Sequence, residues 1–122
     1  MITIKLIIKG EFPTLNEIIK ASKSHYMQYA NQKKEYTSLA TMQTRNTKPI
    51  KNKADWIFTW YRRNKQTDPD NIQVGTKYIF DSLVGSKIIQ NDGWGQINSI
   101  THKFKVDKEK PRVEIDIKEL ME

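Results

Sequence analysis

Ile2, Ile4, Leu6 and Ile8 alternate with Thr3, Lys5, Ile7 and Lys9, a two-residue hydrophobic period that predicts a strand with one buried face, ended by Gly10. Thr14-Leu15-Asn16-Glu17 then has the spacing of a capping box, in which the Thr14 side chain caps the amide of Glu17 and Glu17 reaches back. A helix is expected from there. With no proline before Pro49 it can run to Thr44 or Arg45, carrying Leu15, Ile19, Tyr26, Tyr29, Tyr36 and Ala40 near one stripe. That stripe is thin, and roughly 30 helical residues would span about 45 Å. A break near Ser22 to Ser24, or projection beyond the core toward a partner, is the expectation.

Arg45 to Lys53, centred on Pro49, reads as a loop. Trp56, Phe58 and Trp60, alternating with Ile57, Thr59 and Tyr61, make a second, aromatic strand that ends at Arg62-Arg63-Asn64-Lys65. A second helix follows Asp68-Pro69, with Ile72, Thr76, Ile79, Phe80 and Leu83 on one side and Gly85 as a left-handed terminator. Asn91-Asp92-Gly93 is a turn. Ile100, Phe104 and Val106 mark a third strand, and Val113, Ile115 and Ile117 a fourth, near enough in sequence to pair with the third as a hairpin. The order β-α-β-α-β-β predicts an α+β fold with helices packed on a mixed sheet of about four strands. No repeat or linker interrupts it, so residues 1–122 read as one domain.

Composition narrows the function classes. The 122 residues include no cysteine, which excludes a disulfide scaffold and a cysteine zinc finger, and the length suffices for a core without such staples. No apolar run approaches the roughly 20 residues of a membrane span. The start Met-Ile-Thr-Ile-Lys lacks the charged and apolar regions of an export signal, so a cytosolic protein without membrane contact is expected. Lys and Arg number 21 against 14 Asp and Glu, a net charge of +7. The excess is concentrated between Ile18 and Thr67, where eleven basic residues face only Glu35 and Asp55. A polyanion, nucleic acid above all, is the default partner of such a segment, with a merely solvated basic surface as the plainer reading.

Just beyond the basic segment stands Asp68-Pro69-Asp70-Asn71. Helix capping alone accounts for Asp, Pro and a second acid at a helix start. Capping does not account for the neighbourhood: two carboxylates at a strand end and a third, Asp92, in a turn after the next helix are the hard oxygen donors that Mg²⁺ uses alongside retained waters. Without a cation, three close carboxylates would repel one another. Beside a phosphate-attracting segment they suggest a metal-dependent phosphodiesterase, in which a lysine orients water or neutralises a leaving oxygen. On an unbroken helix Asp70, Lys77 and Asp81 fall near one line, opposite the Ile72/Ile79/Leu83 stripe. Lys77 is therefore the candidate lysine, with an exposed ion pair to Asp81 as the plainer alternative. Because that line points away from the core, Asp92 must fold back toward the helix start, or a subunit interface must complete the site.

Three segments, Asp68-Pro69-Asp70-Asn71, Lys77-Tyr78-Ile79-Phe80-Asp81-Ser82-Leu83 and Ile89-Gln90-Asn91-Asp92-Gly93-Trp94, together resemble the RusA-type Holliday-junction resolvases, endonucleases of phage and prophage origin. The early Pro13-Thr14-Leu15-Asn16-Glu17 is similar to that family's Pro-x-x-Asn segment. The resemblance implies a small homodimer that binds four-way DNA junctions and, with Mg²⁺ or Mn²⁺, nicks two strands symmetrically. It also implies that Asp68, Asp70 and Asp92 are the catalytic, metal-holding carboxylates and Lys77 the catalytic lysine. Two departures stand out: the Asp70 to Lys77 gap is longer than the usual pattern by about one helical turn, and Asn91-Asp92 replaces an acidic pair.

Arg62, Arg63 and Lys65 precede the acids and are candidate phosphate contacts. Trp94 reads first as a packing residue holding its turn, second as a residue stacking on a base. Trp56, Phe58 and Trp60 read as core, and His25 and His102 are assigned no chemistry. The rival functions are a non-catalytic DNA-binding or recombination accessory protein, in which the acids only cap a helix, and another metal-dependent nuclease acting on flaps or RNA.

Overall fold

A computed structural model describes residues 2–120; Met1, Met121 and Glu122, the ends of the expected 1–122 domain, and the Ile2 side chain lie outside the described residues. The elements run β1 (Ile2–Lys9), α1 (Leu15–Ser24), α2 (Tyr26–Thr44), β2 (Ala54–Arg62), α3 (Pro69–Ile72), a turn of 3₁₀ helix (Gln73–Gly75), α4 (Thr76–Gly85), β3 (Ile97–Val106) and β4 (Arg112–Glu119). The α+β class with a four-stranded mixed sheet is as the alternation implies. None of the described helices is long and apolar enough to cross a membrane.

The sheet order is β1-β4-β2-β3, with β4 antiparallel to both its neighbours and β2 parallel to β3. The hairpin expected between β3 and β4 does not form, because β2 lies between them. Burial explains the insertion. Val113, Ile115 and Ile117 of β4 and Trp56, Phe58 and Trp60 of β2 are all essentially inaccessible and form adjoining rows under the helices. In β3, by contrast, Ile100 and Val106 stay substantially exposed. A strand with so little to bury belongs at the edge, and its Lys103 and Lys105 discourage further pairing there. A parallel β2–β3 pair needs a crossover connection, which α3 and α4 provide.

Helices cover one face of the sheet. Ile79 and Leu83 of α4 enter the core under β2, and Phe80 meets Trp56 and Phe58 edge to face at centroid distances of 5.0 and 5.7 Å. A Thr41–Ser82 hydroxyl hydrogen bond of 2.9 Å ties α2 to α4. The capping box is present as its spacing implies: Thr14 Oγ1 accepts the Glu17 amide at 3.3 Å, and Glu17 Oε1 accepts the Thr14 amide at 3.2 Å.

The long first helix breaks at His25, one residue beyond the expected Ser22 to Ser24. His25 is extended (φ −168°, ψ 135°) and caps the second piece, its Nδ1 accepting the Met27 amide at 3.1 Å. Only part of the apolar stripe is used. Ala40 is buried and Tyr36 packs on the core, whereas Leu15, Ile19, Tyr26 and Tyr29 remain exposed. Gly85 does not end α4 in a left-handed conformation; it is the last helical residue, and Lys87 (φ 61°) makes the turn instead.

Candidate active site

Asp68 sits at the N-cap of α3, where its carbonyl accepts the Asn71 amide at 3.0 Å, but its side chain makes no capping hydrogen bond. Capping thus explains the backbone and Pro69, not the carboxylate. Asp68 and Asp70 are both exposed. The second helix is not continuous, because Gly75 passes hard against Phe12 and Trp60 and the Gln73–Gly75 segment tightens to 3₁₀ geometry. Three residues turning about 120° rather than 100° each carry Asp70 roughly 60° off the line it would share with Lys77 on an unbroken α-helix.

Lys77 and Asp81 do pair, Nζ to Oδ1 at 3.0 Å, and the loop after α4 returns Asp92 to the same ammonium at 3.6 Å. The return path is anchored by buried Ile88 and Ile89 and by the Ile50 amide donating to the Ile88 carbonyl at 2.7 Å. Hydrogen bonding to Asp81 raises the Lys77 pKa above its ordinary value; partial burial opposes this, and the Asp81 and Asp92 charges add to it. Lys77 is therefore a fixed cation between two carboxylates. Asp81 reads from the sequence as the helix acid four residues after Lys77 and its ion-pair partner; the third member of the group, Asp92, eleven residues further on, follows from the fold-back.

The structure brings Lys77, Asp81 and Asp92 together but does not gather Asp68, Asp70 and Asp92 into one cluster. Among the described residues no group of three or more His, Asp or Glu side chains is placed to hold a metal ion. The donor chemistry nevertheless suits a hard divalent cation, since exposed Asp carboxylates leave room for the waters such an ion retains.

Of the expected phosphate contacts, Arg62 and Arg63 are already engaged by one acid that the sequence left unremarked. Glu11 accepts the Arg63 amide at 3.0 Å and its Nε at 2.9 Å, and lies 3.5 Å from Arg62 Nε. Burial works to raise the Glu11 pKa, but the Arg63 hydrogen bonds and the two guanidinium charges outweigh it and hold the carboxyl below its usual value. Lys65 has no ion pair among the described residues. With Lys105 and Asp68 it rims a hollow of about 290 Å³ floored by Ile72, Phe104 and Val106. Lys105 has only a faint sign in the sequence, the Lys103/Lys105 alternation on a strand otherwise short of apolar residues.

Trp94 is not a packing residue: it is 92 % exposed. Trp56, Phe58 and Trp60 are core, as expected. The two histidines serve structure. His25 caps α2, and His102 accepts the Trp60 indole N–H at 2.9 Å while burial pulls its pKa down.

A family model described as Endodeoxyribonuclease RusA matches residues 13–118, a span that contains every residue of the candidate site except Glu11. A comparison with curated proteins finds no match.

Proposed function

The chain belongs to the endodeoxyribonuclease RusA family, and from that premise we propose that it resolves four-way DNA junctions by paired symmetric nicks, as a cytoplasmic homodimer dependent on Mg²⁺, with Mn²⁺ as a substitute. The single observation that carries the reading is the extent of the match, which takes in Asp68, Asp70, Lys77 and Asp92 in order. The uncapping carboxylate of Asp68 supports it, because an acid that only started a helix would spend its oxygens on the backbone.

Asp68, Asp70 and Asp92 are the residues that would hold the divalent ion, an arrangement that requires Asp92 to be drawn to the start of α3 because the chain alone does not gather the three; when bound, the ion would supply Lewis acidity, activating water and offsetting charge on the phosphoryl oxygens. Lys77 holds Asp92 toward α4, and its ammonium is the group available to neutralise a departing oxygen. Lys65 and Lys105, neither in an ion pair among the described residues, offer charge to the DNA backbone near Asp68, and Glu11 fixes Arg62 and Arg63 at the end of β2. Two-fold symmetry supplies the second cut, since one site cuts one strand and a junction needs two matched nicks.

The test is a nicking assay on a synthetic four-way junction with Mg²⁺, run on wild type and Asp70→Asn. The expected result is paired nicks from wild type, none from the variant, and junction binding by the variant equal to or tighter than wild type, because a negative charge near phosphate is gone. Binding without nicking by wild type would establish the accessory-protein reading instead. Cleavage of flaps or RNA in preference to junctions would reassign the substrate.

A further inference from the structure

The three tryptophans of this chain divide sharply: Trp56 and Trp60 are 0 % and 2 % exposed, Trp94 is 92 % exposed. A large aromatic side chain left in water contributes nothing to the core, and where it joins neighbouring apolar side chains in one exposed patch it marks a binding surface. Nor is it displayed on a loose loop. Asn91 Oδ1 accepts the Gly93 amide at 2.9 Å, and the Gly93 carbonyl accepts the amides of Gln96 and Ile97 at 3.1 and 3.0 Å. Trp94 thus projects from a pinned turn. With Ile97 and Ile100 it lines a shallow hollow of about 380 Å³ that Asp92 also borders.

We propose that Trp94 is a stacking platform for an unpaired base of the DNA, and that this contact favours branch points over continuous duplex. The inference rests on the resolvase reading above. A phosphate held near Asp92 brings its own base close, because Trp94 lies two residues along, at most about 7 Å between Cα atoms, the scale of one or two nucleotide steps. Inside a paired duplex both faces of a base are covered by its neighbours, so an indole has nothing to stack on. At a branch point, where stacking is interrupted, a base face is open. Aromatic stacking accepts any base, which suits recognition of structure rather than sequence. The aliphatic floor of Ile97 and Ile100 receives the edge of the ring system, while Lys77 balances the Asp92 charge that would otherwise repel the strand.

Trp94 is itself the probe, being the only one of the three tryptophans in contact with water. Asp70→Asn protein keeps the DNA intact during a titration with a four-way junction or with a linear duplex of the same sequences, followed by iodide quenching of the fluorescence. The junction should shield the emission from iodide and the duplex should not. Trp94→Ala should remove the iodide-sensitive component, weaken junction binding roughly tenfold or more, the size of a lost base–aromatic stack, and leave duplex binding unchanged; Trp94→Phe should restore most of the junction affinity. An indole still open to iodide at saturating junction, or a Trp94→Ala variant binding junctions like wild type, overturns the proposal. So does conversion of a dimer to a monomer by Trp94→Ala in light scattering, which would assign the surface to a second copy of the chain. If wild type nicks junctions while Trp94 stays unshielded, only the platform is lost; if wild type neither binds nor nicks them, the resolvase reading falls with it.

Discussion

Replacing Gly75 by alanine adds one methyl group where the chain has no room for it. A Cβ built on Gly75 would stand 2.9 Å from the Phe12 Cβ and 3.1 and 3.2 Å from the Trp60 ring atoms Cη2 and Cζ3. Neither neighbour can yield cheaply. The Phe12 atom is the root of its side chain, two residues before the Thr14 cap, and both residues are buried, in edge-to-face contact at 6.4 Å between centroids. Overpacking of this kind costs about 1–3 kcal/mol. Alanine returns about 0.4–1 kcal/mol by restricting the unfolded chain, so the packing penalty wins. The net loss is up to roughly 2.6 kcal/mol, which for a chain of this size lowers the melting temperature by up to roughly 10 °C. Gly85→Ala is the matched control: it too is helical, and nothing lies within 4 Å of its added Cβ, so it should melt at or above the wild-type temperature. Thermal unfolding by circular dichroism compares the three proteins. A Gly75→Ala variant as stable as Gly85→Ala would refute the account of why the helix tightens at Gln73–Gly75.

Lys77→Met should reduce junction nicking by about 10²–10³-fold, the usual cost of losing one preorganised charge at a reacting centre, while shifting stability by less than about 0.5 kcal/mol because the ion pair is exposed; single-turnover rates and melting curves separate the two effects. Glu11 titrates below its ordinary 4.5 in the folded chain, so its contribution is present above that pH and lost as acid protonates it. Glu11→Gln should accordingly flatten the decline in stability below pH 4.5, measured by denaturant midpoints, and an unchanged acid limb would contradict the Glu11–Arg63 assignment. Junction affinity should fall steeply between 50 and 200 mM salt, with a log–log slope of several units; a flat titration would remove phosphate neutralisation from the binding mechanism.

Local chemistry was readable in the sequence where neighbours along the chain decide the outcome. The Thr14/Glu17 box is complete within four residues, and the β1, β2 and β4 alternations need only their own pleat. What the sequence left open depends on distant residues. Gly75 meets Phe12 across 63 positions, Glu11 meets Arg63 across 52, and neither contact has a local sign. The β3–β4 pairing was misplaced for the same reason: proximity in sequence favoured a hairpin, but the competition for the buried rows went to β2 and β4. At the candidate site, the Lys77–Asp81 pair follows from helical spacing, while the return of Asp92 depends on the packing of Ile88 and Ile89. Trp94 reads from the sequence as a packing residue because an aromatic residue beside a turn usually packs, and only its surroundings reveal that nothing covers it.

The position of β4 has a consequence for biosynthesis. Among the described residues, its residues 112–119 are the only strand partner of β1, and they also complete the pairing of β2. Until a ribosome has added these residues, β1 has been made without its strand partner, and Ile4, Leu6 and Ile8 lack the aliphatic row beside them. The nascent chain therefore cannot acquire its native sheet until residues 112–119 have been made. A stop codon anywhere before Arg112 should yield a product that proteases clear, rather than a shortened enzyme.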